Sequence, residues 1–290
     1  MSEAVNWVSG DWVGIASTSY NGRDTDKREI LMVDNANPDK PVLHLNEALT
    51  FRHYAEIYRP PTATNEDDFI DMRCEIGVLT RNVVFRGNPV DSAENEYGAT
   101  IFMHSDGDDS LTNRLSHVEF NMVGQAFKLG RYALHMHMIG AVHNSYIKQN
   151  AIHQSFNRAV AIHGTRYLRI INNVSFGAKG HNIFIEDAVE THNYIEENLI
   201  MMAMRSWSLL NTDQTPGCMW ITNPFNNFKN NHAAGSDRYG YWFDLQEHGI
   251  GANADTSICP ENVKVGQFIG NHAHSTGRYG LRLFHQMIPR

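Results

Sequence analysis

Asparagine recurs beside short apolar stretches at seven places along this chain, and an internal repeat of that kind constrains the fold more than any other feature of the sequence. The positions are Asn82 (RNVVFRG), Asn121 (FNMVG), Asn150 (QNAIHQS), Asn173 (NNVSFG), Asn198 (ENLIMM), Asn231 (NNHAAG) and Asn271 (GNHAHSTG), at successive spacings of 39, 29, 23, 25, 33 and 40 residues. The shortest spacings match one coil of a parallel β-helix, and the longer ones a coil carrying an inserted loop. Asparagine suits the corner of such a coil because it tolerates the left-handed conformation. Its amide can also bond local backbone and the matching side chain one coil away. The segments are short, alternate with period two and are broken by Gly and Asn, which argues against a helical solenoid.

Composition narrows the function classes. A chain of 290 residues with 42% hydrophobic and 19% charged residues can bury a substantial core. No stretch approaches the roughly 18 apolar residues that span a bilayer, so membrane insertion is not expected. The opening MSEAVNWVSGDW has neither the basic start nor the apolar run of a signal peptide. A net charge of -8 argues against a nucleic-acid binder, which needs a basic excess to displace counterions. Cys74, Cys218 and Cys259 form no CxxC pair; Cys218 and Cys259 are candidates to pair with each other in an oxidising compartment.

Sixteen histidines are unusual, because histidine supplies both metal ligands and proton transfer near neutral pH. Strand alternation assigns their faces. In YALHMHM, Leu134 and Met136 point in and His135 and His137 out. In RAVAIHG, Val160 and Ile162 point in and Ala161 and His163 out. In HNIFIED, Ile183 and Ile185 point in and Phe184 and Glu186 out. These strands sit at equivalent places in the repeat and should stack, which sets His137, His163 and Glu186 in one outward column at the roughly 4.8 Å strand spacing.

Two imidazoles and a carboxylate in that column can hold a divalent metal, calcium or zinc, with positions left open for substrate. His135, Asp187 and His181 flank it, His153 is placed near it, and Asp244 falls near its far end. A metal-free reading makes Glu186 and a histidine the general acid and base for glycosidic cleavage or for proton abstraction beside a uronate carboxylate, with Arg158 neutralising that carboxylate. The bland reading is a hydrogen-bonded ladder under a covering loop. Trp220, Trp242 and Tyr241 are candidates for a sugar-stacking platform, although such aromatics more often pack. SDGDDS at 105–110 resembles a calcium loop only in composition. His232, His272 and His274 read as corner or core-edge residues.

Residues 1 to about 60 lack the repeat and read as a short β-rich cap or entry coil, leaving 61–290 for the β-helix, with insertions at about 87–113, 205–226 and 247–265. Loops of that length on a rigid coil commonly wall a binding groove.

The runs GRYALHMHMIG, NAIHQSFNRAVAIHGT, GHNIFIEDAVETHN, MWITNPFNNFKNNHAAGSDRYGYWF and FIGNHAHSTGRYGLRLF resemble the parallel β-helix region of fibrocystin-L. They equally resemble that of the cell-surface and secreted hyaluronidases related to the cell-migration-inducing hyaluronan-binding protein. EIGVLTRNVVFRG and WVSGDWVGIAST look like segments just upstream in that family, so the resemblance runs from about Trp7 to about Phe284. It implies an extracellular or cell-surface right-handed parallel β-helix of pectate-lyase-like architecture. Its partner would be a polysaccharide such as hyaluronan, and the family's hyaluronidase members are associated with calcium. Two functions stay open: a polysaccharide-cleaving glycosidase or lyase with His137, His163, Glu186 and Arg158 at its centre and His135, His153, His181, Asp187 and Trp242 around it, or a non-catalytic adhesion or receptor module of the fibrocystin-L kind. The chain departs from the family pattern in lacking the eight-glycine domain that normally precedes this region, and in being acidic, which suggests an excised domain or a shortened relative.

Overall fold

The computed structural model describes residues 4–65, 68–207 and 210–289. From Val83 onward the chain winds as a parallel β-helix whose coils each lay one strand on three sheets. The first sheet has seven strands, from Val83–Arg86 through Val118–Asn121 and Ala151–His153 to His272–Thr276. The second has seven, from Ile101–His104 to Tyr279–Phe284, and the third six, from Arg114–Ser116 to Gln267–Ile269. Among the described residues, no helix is long and apolar enough to cross a membrane.

Like stacks on like inside the coils. Leu134, Val160, Ile183, Met219 and Tyr241 form one inward column on the second sheet, and Ile147, Ile170, Ile195 and Phe228 form another on the third. These residues are almost completely buried, each side chain contributing on the order of 1.5–3 kcal/mol.

An asparagine ladder fixes the coil spacing at the corner before the first sheet. The Oδ1 of Asn173 accepts the backbone N–H (3.0 Å) and the amide (3.1 Å) of Asn150. The same pair of bonds joins Asn173 to Asn198, Asn198 to Asn231 and Asn231 to Asn271. Two expected members lie outside it. Asn121 ends its strand, opposite His153, and the ladder position of its coil is Val118, whose N–H is donated to Asn150 Oδ1. Asn82 falls one residue before the ladder position, because Val83 pairs with Val118. The left-handed residue is also not the ladder asparagine but the one before it: Gln149, Asn172, Glu197, Asn230 and Gly270 all have φ between 52° and 63°. At the turn before the third sheet Asn193 accepts from Leu168 and donates to Asn226 Oδ1, a second short ladder.

The N-terminal strands form a four-stranded antiparallel sheet, ordered Val42–Leu45, Asp26–Asp34, Trp12–Ile15, Ile76–Val78. This sheet lies across the outer face of the first parallel sheet, burying Ala16 and Leu79 against Phe176, Met201 and Ala234. A Cβ at Gly14 would sit 2.7 Å from the Phe176 ring, so glycine there is what lets the layers approach. The strand Ile76–Val78 belongs to this layer, so the layer reaches past residue 60. His232 and His274 face outward beneath it and grip the two oxygens of Glu75 at 2.6 and 2.9 Å, which makes them docking residues rather than corner residues.

Two of the expected insertions hold strands of the second sheet, Ile101–His104 and Gly217–Ile221, which leaves loops at 87–100, 105–113 and 245–266 and, among the described residues before Gly217, loops at 205–207 and 210–216. The loop at 105–113 is tied to Ala141 through Asp109 and that at 245–266 to Asp187 through Asn253, and the stretch of the second sheet's outer face beside them, the trough, carries the histidines.

Candidate functional site

The register on the second sheet follows the alternation. Leu134 pairs with Val160, His135 with Ala161, Met136 with Ile162 and His137 with His163, and Val160, Ala161 and Ile162 pair in turn with Ile183, Phe184 and Ile185. Glu186 comes next and donates its N–H to Ile162 O (3.1 Å), which places its side chain outward beside His163. His104 adds a fourth member, paired with His137 one coil earlier.

Hydrogen bonds behind the cluster fix its tautomers. His135 donates from Nδ1 to Gly130 O (2.8 Å), which leaves Nε2 with a lone pair. His163 donates from Nε2 to Asp187 Oδ2 (2.7 Å), which in the neutral ring leaves Nδ1 with a lone pair. Both free nitrogens face Glu186 Oε2, at 4.0 Å from His135 Nε2 and 3.7 Å from His163 Nδ1. All three atoms are buried and have no hydrogen-bond partner. Buried polar groups are normally satisfied, so three unpartnered polar atoms converging on one point form a site that a cation or an ordered water would complete. The ring of His137 packs 5.0 Å from that of His135 and 4.9 Å from that of His163, and ligand atoms of the three histidines lie within 4.8 Å of one another. Tetrahedral zinc with bonds of about 2.1 Å spaces its ligand atoms by roughly 3.4 Å, closer than the 3.7 and 4.0 Å gaps to Glu186 and than the 4.8 Å limit on the three histidines, so the side chains would draw inward around an ion. The residues therefore fit a divalent metal, and a histidine and carboxylate group that could hold one is present.

Electrostatics point the same way. Burial pushes His135 down to about 4, and burial with the nearby His163 and His104 holds His137 low, so both are neutral lone-pair donors at pH 7. Burial raises the Glu186 carboxyl above its ordinary range despite the pull of His163 and Arg158. His163 moves up: burial opposes its charge, but the bond to Asp187 and the field of Glu186 prevail. A bound cation would reverse the balance at Glu186 and hold it ionised.

The supporting residues are largely ones the sequence did not single out. Asp187 Oδ2 also accepts from Asn253 N–H (3.0 Å) and Nδ2 (2.9 Å), and Ile250 N–H is donated to Asp187 O (2.9 Å). The loop at 245–266 is thereby pinned to the carboxylate that orients His163. Beneath them the buried carboxyl of Glu190, pushed up by burial to about 7, accepts from Gly164 N–H (2.8 Å) and Asp187 N–H (3.1 Å). His104 Nδ1 lies 3.0 Å from His137 O and 3.2 Å from His137 Nδ1. Its phase was readable, since IFMH repeats LHMH, but it sits inside a stretch that reads as an insertion.

Five residues expected at the site are elsewhere. Arg158 is fully buried and spent: its guanidinium binds both oxygens of Asp213 (3.1 and 2.9 Å) and stacks 3.6 Å above Phe184. It cannot meet a substrate carboxylate. His181 is buried beside it, accepting Gly217 N–H at Nδ1 (3.1 Å) and packed between Phe184 and Trp220; burial pushes it down to about 3. His153 lies on the first sheet and donates from Nε2 to Glu119 Oε1 (3.0 Å). Trp242 is 8% exposed, stacked on Trp220 and covered by Arg282 at 4.3 Å, so no ring face is free for a sugar. Tyr241 points into the coil and donates to Asn231 O (2.9 Å).

Cys218 and Cys259 are not paired; Cys218 is buried on the second sheet and Cys259 faces His248 in the late loop. In the acidic loop Asp108 closes a local turn with Ser110, and Asp109 accepts the Ala141 N–H and so ties the loop to the next coil.

The family model described as CEMIP beta-helix matches residues 96–281, which include the whole cluster. Fibrocystin-L of Mus musculus is 34% identical over 100% of this chain, which covers 8% of that relative. A cell surface hyaluronidase of Homo sapiens is 29% identical over 97% of the chain, covering 22% of it. The human cell migration-inducing and hyaluronan-binding protein is 28% identical over 95%, again covering 22%. The chain thus spans a minor part of each of these relatives' length. With most of its length matched by the family model and its strands wound as a parallel β-helix, the chain belongs to the CEMIP beta-helix family.

Proposed function

We propose that the trough over the second sheet is a metal-dependent, carbohydrate-active centre of a cell-surface or extracellular protein, acting on a uronate-containing polysaccharide such as hyaluronan. The observation that carries this reading is the convergence of His135 Nε2, His163 Nδ1 and Glu186 Oε2 with no other partner. Those three would hold the ion, with His137 as fourth ligand or as the proton-handling group. Imidazole nitrogens favour zinc over calcium, which takes six to eight oxygens. The names of the hyaluronidase and hyaluronan-binding relatives support the substrate class and the location.

A divalent ion held there supplies Lewis-acid polarisation of an oxygen at the linkage to be cut. The chain's own residues do the rest. Asp187 fixes the ring of His163 and raises the basicity of Nδ1. Gly130 O does the same for His135. His137, half-buried at the mouth and neutral, is placed to take or give a proton at the cut linkage. The loop through Asn253 holds Asp187, and through it His163, in place.

A second reading is a binding module in which the same atoms hold a structural ion; the higher identity to fibrocystin-L favours it. The size distribution of high-molecular-weight hyaluronan after incubation with zinc, with calcium or with a chelator separates the two. Shortening that is lost with chelator and in His135→Ala, His163→Ala supports the enzyme. Unchanged size under every condition supports the module.

A further inference from the structure

With Arg158 consumed by Asp213, the trough needs another source of positive charge to hold an acidic polymer. The turn of residues 126–131, AFKLGR, supplies one. Lys128 and Arg131 are exposed, and their side chains make no ion pair or hydrogen bond among the described residues. Between and beside them stand Phe127 and Leu129, 63% and 65% exposed. The turn is held in shape from within. Arg131 N–H is donated to Lys128 O (3.2 Å) and Gln125 N–H to Arg131 O (2.8 Å), while the buried amide of Asn157 reaches Gln125 O (2.9 Å). It is also fastened to the candidate centre, because Gly130 O is the acceptor that orients His135, and the next residue, Tyr132, packs its ring 4.8 Å from that imidazole.

We infer that this turn is the substrate grip of the trough. Lys128 and Arg131 bind carboxylates of a uronate-containing polysaccharide, and Phe127 and Leu129 cover apolar faces of its sugar rings. The inference rests on the reading of the trough given above and adds which residues recognise the polymer. On a chain of net charge -8, two exposed cations on the turn whose Gly130 carbonyl orients His135 give an anionic chain a local site of complementary charge. Exposed apolar side chains flanked by cations also suit an anionic membrane surface. The bond from Gly130 to His135 favours the polymer, since it ties the turn to the centre itself.

The test is equilibrium binding of a hyaluronan octasaccharide to the full chain, with the carboxyl-reduced octasaccharide and phosphatidylserine-containing vesicles as comparison probes. The variants are Lys128→Gln with Arg131→Gln, Phe127→Ala, and Lys148→Gln as a control on the third sheet. The expected result is at least a tenfold weaker Kd for the double variant, a like loss for wild type with the carboxyl-reduced sugar, no change for Lys148→Gln, and unaltered zinc content throughout. Equal binding by double variant and wild type, with His163→Ala impaired, overturns the grip and leaves the metal-centre reading standing. A wild type that ignores the octasaccharide overturns the grip and the substrate class together, and binding to vesicles through Lys128 and Arg131 instead identifies the turn as a membrane contact.

Discussion

His163 donates its Nε2 proton to Asp187 Oδ2 across 2.7 Å, and that single bond decides which nitrogen of the ring faces the other members of the cluster. The same oxygen takes two bonds from Asn253, so one carboxylate couples the centre to the loop above it. Asp187→Ala should therefore leave the fold intact and weaken zinc binding by about 10- to 100-fold, as loss of a carboxylate behind a ligating histidine commonly does. Competition with a chromophoric zinc chelator reads the change directly.

Glu186 is costly without a cation, because its buried oxygen has no partner and burial raises its pKa. Since the folded pKa lies above the unfolded one, ionising it costs metal-free protein stability as pH rises from the ordinary carboxylate range upward. Glu186→Gln should stabilise the metal-free chain at pH 7 by about 1 kcal/mol and abolish the rise in Tm on adding zinc. Thermal unfolding with and without zinc checks both.

Glu75 works with the opposite sign. Burial alone would raise its carboxyl, but hydrogen bonds from His232 and His274 outweigh it and bring the pKa down from 4.5 to about 2. Its stabilisation is complete above pH 4.5 and is lost as pH falls toward 2, on the order of 2–3 kcal/mol. Urea unfolding between pH 5 and pH 2 should show that slope in wild type and a flatter one in Glu75→Gln.

Asn198 sits mid-ladder, accepting from Asn173 and donating to Asn231, Ile170 and Glu196. Asn198→Ala strands several buried groups and should cost about 2–4 kcal/mol. Asn121→Ala, outside the ladder with one long contact to His153 at 3.4 Å, should cost less than about 1 kcal/mol. Denaturant midpoints of the two variants compare the positions.

The coil and the column were legible because both depend on local pattern. LHMH, VAIH and IFIE share one phase, and a period of two leaves only two choices of face. The asparagine repeat located the ladder, but Asn82 and Asn121 sit beside apolar runs as the true members do, and only pairing with the next coil separates them. What the sequence could not show is what arrives from a distance. Arg158 is neutralised by Asp213, 55 residues away, and Asp187 is capped by Asn253, 66 residues away. His153 looks like His163 in sequence, yet its strand lies on a different sheet. Loops choose such partners by tertiary packing, which neither spacing nor alternation encodes.

The central claim is that His135, His163 and Glu186 are the ligands of one divalent ion. The most direct measurement is the metal content of purified chain equilibrated with zinc, by inductively coupled plasma spectrometry, for wild type and for His135→Ala, His163→Ala. The account predicts one zinc per wild-type chain and none in the double variant. Wild type that keeps no metal, or a folded double variant that keeps the same zinc, would contradict it.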